Sequence, residues 1–416
     1  MSNQMTGMQC AAALSDLSNS DSALRHVLDQ LDGQLAGTAK LVTVFATAHH
    51  RRHLGHMTDS LGAILGAEAT LGITCGGVLG GVQELEDGPG LSVWAASMPG
   101  VTIRPFRYEL QDWPQICQSP NGLADYLETD PEATGSAGIP VAIMLMADPF
   151  TTPQQELVSA FQKTAPGGSI VGGMASAAQK PGHNRLVLNG TVRNEGAIGV
   201  AISGDVRVDC TVSQGCRPIG KPFVITKADR NVIQKLGGRN ALAVVHEVLE
   251  SLDEDDHNLV AENAIFVGRV INEYKDRFGR GDFLIRNIIG VDEDAGYMGI
   301  GDPHMRVGQT IQFQVRDGYS AVEDFELLLE AQKLHGSAAG ALLFTCNGRG
   351  KRMFTKQQVD ANLVQAALGG LPLAGFFAMG EIGPVDDQTF IHGHTASLMV
   401  FRDLAGTESL NGTPDC

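Results

Sequence analysis

The 416-residue sequence predicts a mixed α/β fold in which a strand–helix–strand unit is repeated about three times. Each copy has an apolar run typical of a buried strand, a stretch with helical spacing, and a second apolar run that ends in small residues. The copies run from Leu41 to Gly77, from Val141 to Ser176 and from Ala341 to Phe377. Turn residues between the remaining apolar runs predict antiparallel hairpins. We therefore expect mixed sheets with many antiparallel hairpins, covered by helices.

The other elements are predicted from the same periodicities. Apolar residues from Leu24 to Leu35 recur at helical spacing and predict a helix within residues 1–37. Further strands are predicted at 93–96, 101–106, 185–188, 197–202, 207–212, 266–270, 283–289, 310–315 and 394–401. Further helices are predicted at 227–252, 322–334 and 359–368, with a loop at 122–138.

Composition excludes several classes of protein. The net charge is −17 and Lys and Arg are not clustered, so we expect no nucleic-acid partner. The chain lacks an apolar run of about 18 residues, so no membrane insertion is expected. The start of the sequence does not resemble a signal peptide, and the seven cysteines form no Cys-x-x-Cys pair. Reduced thiols and a cytoplasmic location are therefore predicted.

The strongest candidate site follows the two strands of the third copy. The segments Cys346–Gly350 and Gly380–Pro384 carry polar side chains at strand ends, where loops of α/β sheets usually bind ligands. Arg349 offers a planar fork to a carboxylate, Glu381 accepts from an ammonium group, and Asn347 both donates and accepts. Such a set suits an amino acid or a similar zwitterion. The alternative is that Arg349 and Glu381 pair with each other, or with backbone, and hold two loops together.

Two further motifs extend this prediction. Arg286 and Asn287 lie in an otherwise apolar run and either join the site or face solvent at alternating strand positions. The polar turn Ser213–Gly220 supplies a possible second site, formed by Gln214, Cys216 and Arg217. Arg217 would lower the pKa of a reactive Cys216 thiol, although a packed cysteine is equally compatible with the sequence.

Sequence motifs for catalysis, metal binding and cofactor binding are weaker than those for the candidate ligand site. Cys346 would need a base such as His392 or His394 to act as a nucleophile, and no family-type signature surrounds it. The histidines between His49 and His56 lack a visible third or fourth metal ligand. No Gly-rich loop has the register of a nucleotide-binding motif. We expect no catalytic residue, no metal and no cofactor.

The motifs, in their order along the chain, resemble the FIST family. They are Asp148–Phe150, Val171–Ser176, Gly196–Val200, Ser213–Gly220, Cys346–Gly350, Gly375–Phe377, Gly380–Pro384 and His392–Ser397. The resemblance implies a FIST N-type domain at 38–225 and a FIST C-type domain at 226–403, preceded by the helix of residues 1–37. A flexible tail at 404–416 completes the prediction.

The same resemblance implies a stand-alone, bacterial-type protein that senses a small ligand in intracellular signalling. The site would include Cys346, Asn347, Arg349 and Glu381, and its ligand would be an amino acid or a similar zwitterion. A signalling protein would be the further partner. The alternatives left open are a protein-interaction scaffold and an enzyme that depends on Cys346, and we expect a binding protein in preference to an enzyme.

Overall fold

The computed structural model describes residues 7–118, 140–165 and 167–404. The chain forms two compact units. Unit 1 comprises the chain up to Val212, Glu326–Ile391, and the chain from Ala396 onward; unit 2 comprises Ser213–Phe325 and His392–Thr395. The loop predicted at 122–138 lies outside the described residues, as does the predicted tail apart from Leu404. The division into FIST-type domains at residues 225 and 226 stays a prediction.

Unit 1 contains three copies of one repeat, each with six strands and two helices among the described residues. The first copy consists of β1 (Gln9–Ser15), α1 (Ser20–Leu31), β2 (Leu41–Thr47), α2 (Leu54–Leu65), β3 (Ala69–Cys75), β4 (Val78–Gly80), β5 (Gln83–Leu85) and β6 (Leu91–Ser97). The second copy consists of β7 (Val101–Tyr108), α3 (Trp113–Gln118), β8 (Ala142–Ala147), α4 (Gln154–Thr164), β9 (Ser169–Met174), β10 (Leu186–Leu188), β11 (Thr191–Arg193) and β12 (Ala197–Gly204).

The third copy is interrupted after its first strand, β13 (Val206–Gln214). The inserted elements are β14 (Cys216–Asp229), β15 (Val232–Leu236), β16 (Arg239–Asn240), α5 (Ala241–Glu250), α6 (Glu254–Asn263), β17 (Ile265–Val270), β18 (Phe283–Asp292), β19 (Tyr297–Ile300) and β20 (Thr310–Arg316). The copy then continues with α7 (Gly318–Lys333), β21 (Gly340–Cys346), α8 (Val359–Leu368), β22 (Leu373–Ala378), β23 (Glu381–Val385), β24 (Gln388–His392) and β25 (Thr395–Asp403).

The predicted mixed α/β fold and its three strand–helix–strand units are confirmed. The parallel pairs are β2 with β3, β8 with β9, and β21 with β22. The strand orders of the three sheets are β1-β6-β2-β3-β10-β11, β7-β12-β8-β9-β23-β24 and β13-β25-β21-β22-β4-β5. Each sheet therefore contains four strands of its own copy and a hairpin from another copy. The hairpins are exchanged in a cycle: first copy to third, third to second, and second to first.

The three sheets share one apolar core. Phe45 of the first copy packs against Phe344 and Phe376 of the third, with ring centroids 6.3 and 5.2 Å apart. Met144 and Met146 of the second copy belong to the same cluster. Helices cover the outer faces of the first two sheets, where separate apolar clusters form. Burial on both faces explains why the central strands read as continuous apolar runs.

The helix predicted within residues 1–37 is α1, and a strand that we did not predict precedes it. Asn19 caps α1 by accepting a hydrogen bond from the Ser22 backbone, and Ala23, Leu24, Val27 and Leu31 form its buried face. Strand β1 is rich in alanine, which has low strand propensity. Its strand conformation depends on antiparallel pairing with β6, a non-local contact.

Unit 2 is a closed antiparallel barrel. The order β14-β20-β17-β18-β19-β15 is completed by pairing of β15 back to β14, and β16 is attached to β15. Apolar residues of all six strands fill its interior, with Val244 and Val248 of α5 beside them. The helix predicted from residue 227 begins only at Ala241. Residues Gly237 and Gly238, both with positive φ, end β15 in a turn, and Asn240 caps the helix.

Within the part of the chain that the structure describes, no helix has the length and apolar character needed to cross a bilayer.

Candidate functional site

The second strand of each parallel pair (β3, β9 and β22) ends near the hydroxyl group of Ser176 in unit 1. This buried hydroxyl accepts a hydrogen bond from the Gly76 backbone at 2.8 Å and donates one to the Phe377 carbonyl. The Phe377 backbone in turn donates to the Gly77 carbonyl at 2.9 Å. The small residues predicted to matter at these strand ends thus allow three backbones to approach closely.

A cleft of about 230 Å³ opens at this junction. Its lining comprises Gly76, Gly77, Glu86, Asp87, Ser176, Ala177, Gln179, Asn347, Arg352 and Phe377. All of these residues belong to unit 1, and all three copies contribute. The cleft therefore combines two carboxyl groups, a guanidinium group, two side-chain amides and one aromatic ring.

The acidic wall of the cleft is formed by Glu86 and Asp87, which follow hairpin β4–β5 in the chain. The Lys351 backbone holds Glu86 in place. Both carboxylate oxygens of Glu86 accept from the Lys351 backbone, at 3.0 and 3.1 Å. Burial raises the pKa of Glu86, whereas a hydrogen bond from the Lys351 ammonium group lowers the pKa of Asp87. A Cβ on Gly350 would lie 2.5 Å from the Glu86 carboxyl carbon, and its φ is +56°, so the approach requires glycine.

The basic wall is formed by Arg352, which ends the short 3-10 turn Gly350–Arg352. Its side chain is exposed, and it donates to the Asn347 carbonyl at 3.3 Å. Among the residues described, no carboxylate lies within ion-pair distance of Arg352. A guanidinium group beside the cleft is therefore available to an anionic group of a ligand.

Arg349 lies beneath this loop and is fully buried. Its Nε and Nη2 donate to the two oxygens of Asp360 at 2.8 and 2.7 Å, and Thr345 donates to the same carboxylate at 2.6 Å. The guanidinium group also stacks over Phe354. Arg349 is thus held by an ion pair with Asp360, a partner that the sequence did not suggest, and the nearby Glu381 carboxylate also favours its charged form. The Nη1 atom of Arg349 has no hydrogen bond to any described residue.

Glu84 completes this buried cluster. It lies on β5, and its Oε1 accepts from the Ala361 backbone in the first turn of α8 at 2.9 Å. Burial and the nearby Asp360 carboxylate raise the pKa of Glu84 to about 8. Asp360 has the bidentate arginine, so Glu84 is the group that carries the proton at neutral pH.

The other residues predicted for the primary site occupy three kinds of position. Asn347 lines the cleft. Cys346 ends β21, and its buried sulfur accepts from the Gly348 backbone at 3.3 Å. Glu381 is fully buried at the start of β23, opposite Gly173 of β9. The suggested histidine partners of Cys346 belong to unit 2.

The remaining predicted residues lie in unit 2. Arg286 is paired with Asp302, and Asn287 is exposed. Gln214 and Cys216 are buried. Arg217 donates to Asp256 and, at 2.8 Å, to Asp317, and these bonds raise the pKa of Arg217.

Sequence reasoning missed Glu86, Asp87 and Arg352 as cleft residues. The segment of Glu86 and Asp87 was recognisable as a Gly-rich acidic loop that follows the first copy. Its contact with the third copy depends on the exchanged hairpin, which no local pattern indicates. Arg352 lies only two residues beyond the Cys346–Gly350 motif.

No cluster of metal-ligating side chains is found in the described ranges. His50, within the histidine-rich segment, is buried and bonded to Ser20 at 3.0 Å. Burial, together with His49 and His53, lowers the pKa of His50.

Comparison with known proteins gives two family matches and several relatives. The model of the FIST N domain matches residues 40–239, and that of the FIST C domain matches residues 241–384. An uncharacterized protein of Mycobacterium bovis is 38% identical over 379 residues, covering 90% of this chain and 94% of that protein. An uncharacterized protein of Mycobacterium tuberculosis strain H37Rv is 36% identical over 393 residues, covering 92% of this chain and 95% of that protein.

Proposed function

Because this chain belongs to the FIST family, whose domains are generally regarded as small-ligand-binding signalling domains, we propose that it binds a zwitterion such as an amino acid in the unit 1 cleft. Binding in this cleft would be its sensory step in intracellular signalling. The cytoplasmic location predicted from the sequence stays part of this proposal.

One observation carries the proposal: groups of both charges line the same small cleft. Arg352 supplies a cation with no described carboxylate within ion-pair distance, which suits a ligand carboxylate. Glu86 and Asp87 supply carboxylates for a ligand ammonium group, although each already accepts from Lys351. Asn347 and Gln179 add amide groups, and the Phe377 ring adds an apolar wall. A volume of about 230 Å³ suits a metabolite of amino-acid size.

In this proposal the residues predicted from sequence have three roles. Asn347 would contact the ligand directly. Arg349 would position the ligand-binding loop, because its guanidinium group is held by Asp360 beneath Gly350 and Arg352. Cys346 and Glu381 are proposed as neighbours of that loop. Carboxylate recognition, assigned from sequence to Arg349, is thus transferred to Arg352.

The test is the thermal stability of the pure protein against a panel of amino acids. A ligand that binds only the folded state stabilises it by about 2.7 kcal/mol at a hundred times its dissociation constant. We expect one class of amino acid to raise the melting temperature of wild type. The Arg352→Ala variant should lose that shift, whereas Lys356→Ala, which removes an exposed cation from the same loop, should retain it.

The acidic wall needs its own comparison. Each amino acid that binds is paired with the corresponding acid that lacks the ammonium group. Asp87→Asn should weaken binding of the amino acid and leave that of the deaminated acid unchanged. A full thermal shift in Arg352→Ala, or no shift from any amino acid in the panel, would contradict the proposal.

A further inference from the structure

Unit 2 has two arginines on the inner face of its barrel. Arg286 lies opposite Val267, and Arg269 lies opposite both Leu284 and Ile311. Residues that face each other across paired strands project from the same side of a sheet. Val267 and Ile311 belong to the barrel core, so both arginines project from the side that carries the core.

These arginines share a single carboxylate. The Nε atoms of Arg269 and Arg286 donate to the same oxygen of Asp302, at 3.0 and 3.2 Å. The other Asp302 oxygen accepts from the His304 backbone at 2.9 Å. The Asp302 side chain is 3% exposed, so the group is withdrawn from solvent. Among the described residues, Asp302 is the one carboxylate within ion-pair distance of either arginine, so one positive charge has no paired anion there.

Several donors of the pair have no partner. Nη1 of Arg286 donates to the Ile285 carbonyl at 2.9 Å. Nη2 of Arg286 and both Nη atoms of Arg269 make no hydrogen bond to any residue that the structure describes. Each arginine side chain is 14% exposed, so both side chains reach solvent. Burial, together with the charge of Arg269, lowers the pKa of Arg286, as expected for a cation that lacks full compensation.

We propose that Arg269 and Arg286 form an oxyanion-binding site in the barrel of unit 2, which takes a carboxylate or phosphate group of a small molecule. Paired guanidinium groups with free Nη donors match the oxygens of such groups. A bound oxyanion would supply the missing negative charge. This site is separate from the unit 1 cleft and does not depend on zwitterion binding there.

Asn287 does not belong to this site. It lies opposite Phe266, on the other face of the sheet from Arg286. The two neighbours that the sequence grouped together are thus separated by strand alternation, and only Arg286 enters the proposal.

The experiment uses the full chain with inorganic phosphate and acetate as probes, each against chloride at constant ionic strength. Melting temperatures are recorded for wild type, Arg269→Gln, Arg286→Gln and the control Arg277→Gln, which removes an exposed cation of the same unit. Phosphate stabilises proteins in general because it is excluded from their surface. Specific binding is therefore judged from the difference in melting-temperature shift between wild type and the variants. Phosphate and acetate together distinguish a tetrahedral from a planar oxyanion.

We expect at least one probe to stabilise wild type and Arg277→Gln in a saturable manner. Arg269→Gln and Arg286→Gln should bind that probe about tenfold more weakly or worse, since each loses a charged hydrogen bond. If both arginine variants fail to fold, Asp302→Asn replaces them: removing the competing carboxylate should increase the probe's stabilising effect. Equal probe responses in wild type and the arginine variants, or no gain in Asp302→Asn, would overturn the proposal and leave a purely structural ion-pair cluster.

Discussion

Glu84 is a carboxyl group placed where ionisation is unfavourable. It is 7% exposed and lies beside Asp360, whose negative charge is already paired with Arg349. Oε1 accepts from the Ala361 backbone, so a protonated carboxyl group still satisfies this donor. The cluster therefore has one ion pair and one neutral acid, which is less costly than two buried carboxylates with one arginine.

This arrangement predicts a pH dependence of stability with a definite sign. The pKa of Glu84 is raised from its ordinary value of 4.5 to about 8 in the folded state. Between these two pH values the unfolded chain releases a proton that the folded chain retains, so stability falls as pH rises. The slope from one such group is at most about 1.4 kcal/mol per pH unit. Glu84→Gln keeps an uncharged acceptor at this position and should remove that fall.

The measurement is urea denaturation of wild type and Glu84→Gln from pH 5 to pH 8. The difference in unfolding free energy should grow with pH in favour of the variant. Glu68→Gln is the control, because that side chain is 56% exposed, and its slope should match wild type. Parallel curves for wild type and Glu84→Gln would show that Glu84 is ionised in the folded protein.

At the scale of single residues, the sequence pointed to a loop that lines the cleft but not to the partners of its side chains. The Cys346–Gly350 motif predicted a polar strand end, and Asn347 does line the cleft. The Asp360 partner of Arg349 lies on the next helix, and the Glu86 partner of Lys351 lies 265 residues earlier in the chain. Contacts of the second kind depend on how distant elements pair, which residue type and spacing do not encode.

Among the elements, the parallel strand pair of each copy contains a glycine near its middle. Gly72 lies beside Val44, Gly172 beside Leu145, and Gly375 beside Leu343. A Cβ on Gly375 would lie 1.9 Å from the Leu343 carbonyl oxygen, and one on Gly172 would lie 1.8 Å from that of Leu145. In these two copies the strands approach too closely for any other residue.

Gly375→Ala should therefore separate β21 from β22 and disturb the cleft above them. We expect a loss of about 3 kcal/mol or more in unfolding free energy, as for severe overpacking in a core. Chemical denaturation monitored by circular dichroism measures it. Gly88→Ala is the matched control, because a Cβ at that position meets nothing within 4 Å. A stability equal to that of Gly88→Ala would mean that the strand pair can relax at little cost.

Local pattern predicted the elements well where both partners are close in sequence. Strand, helix and strand of each copy follow one another, and their periods of 2 and 3.6 residues are visible in the sequence. Strand β1 and the hairpin β4–β5 were harder to predict, because β1 is stabilised by pairing with β6 and β4 pairs with β22 of the third copy. The start of α5 was misplaced because apolar residues of β15 continue into the helical pattern.

At the scale of the whole molecule, the two units are built differently: the copies of unit 1 exchange hairpins, whereas the barrel of unit 2 is formed by one continuous stretch of chain. In unit 1 the hairpin exchange and the shared core make each copy depend on the other two. Unit 2 takes its barrel strands from one stretch of chain, residues 213–325, and has its own core. The boundary between the two matched family domains, at residue 240, falls inside this barrel, between β16 and α5. Both family domains thus contribute strands to the same barrel.

This difference predicts opposite behaviour for two fragments. Residues 213–325 alone should unfold cooperatively in urea and give a dispersed NMR spectrum, because the closed barrel needs no outside strand. Residues 7–97, the first copy alone, should do neither, since Phe45 would lose Phe344 and Phe376, and β4 would lose β22. Exposed core residues should instead bind a hydrophobic dye. Cooperative unfolding of residues 7–97 would show that one copy is self-sufficient and that hairpin exchange is not required for its stability. Failure of residues 213–325 to fold would show that the barrel depends on unit 1.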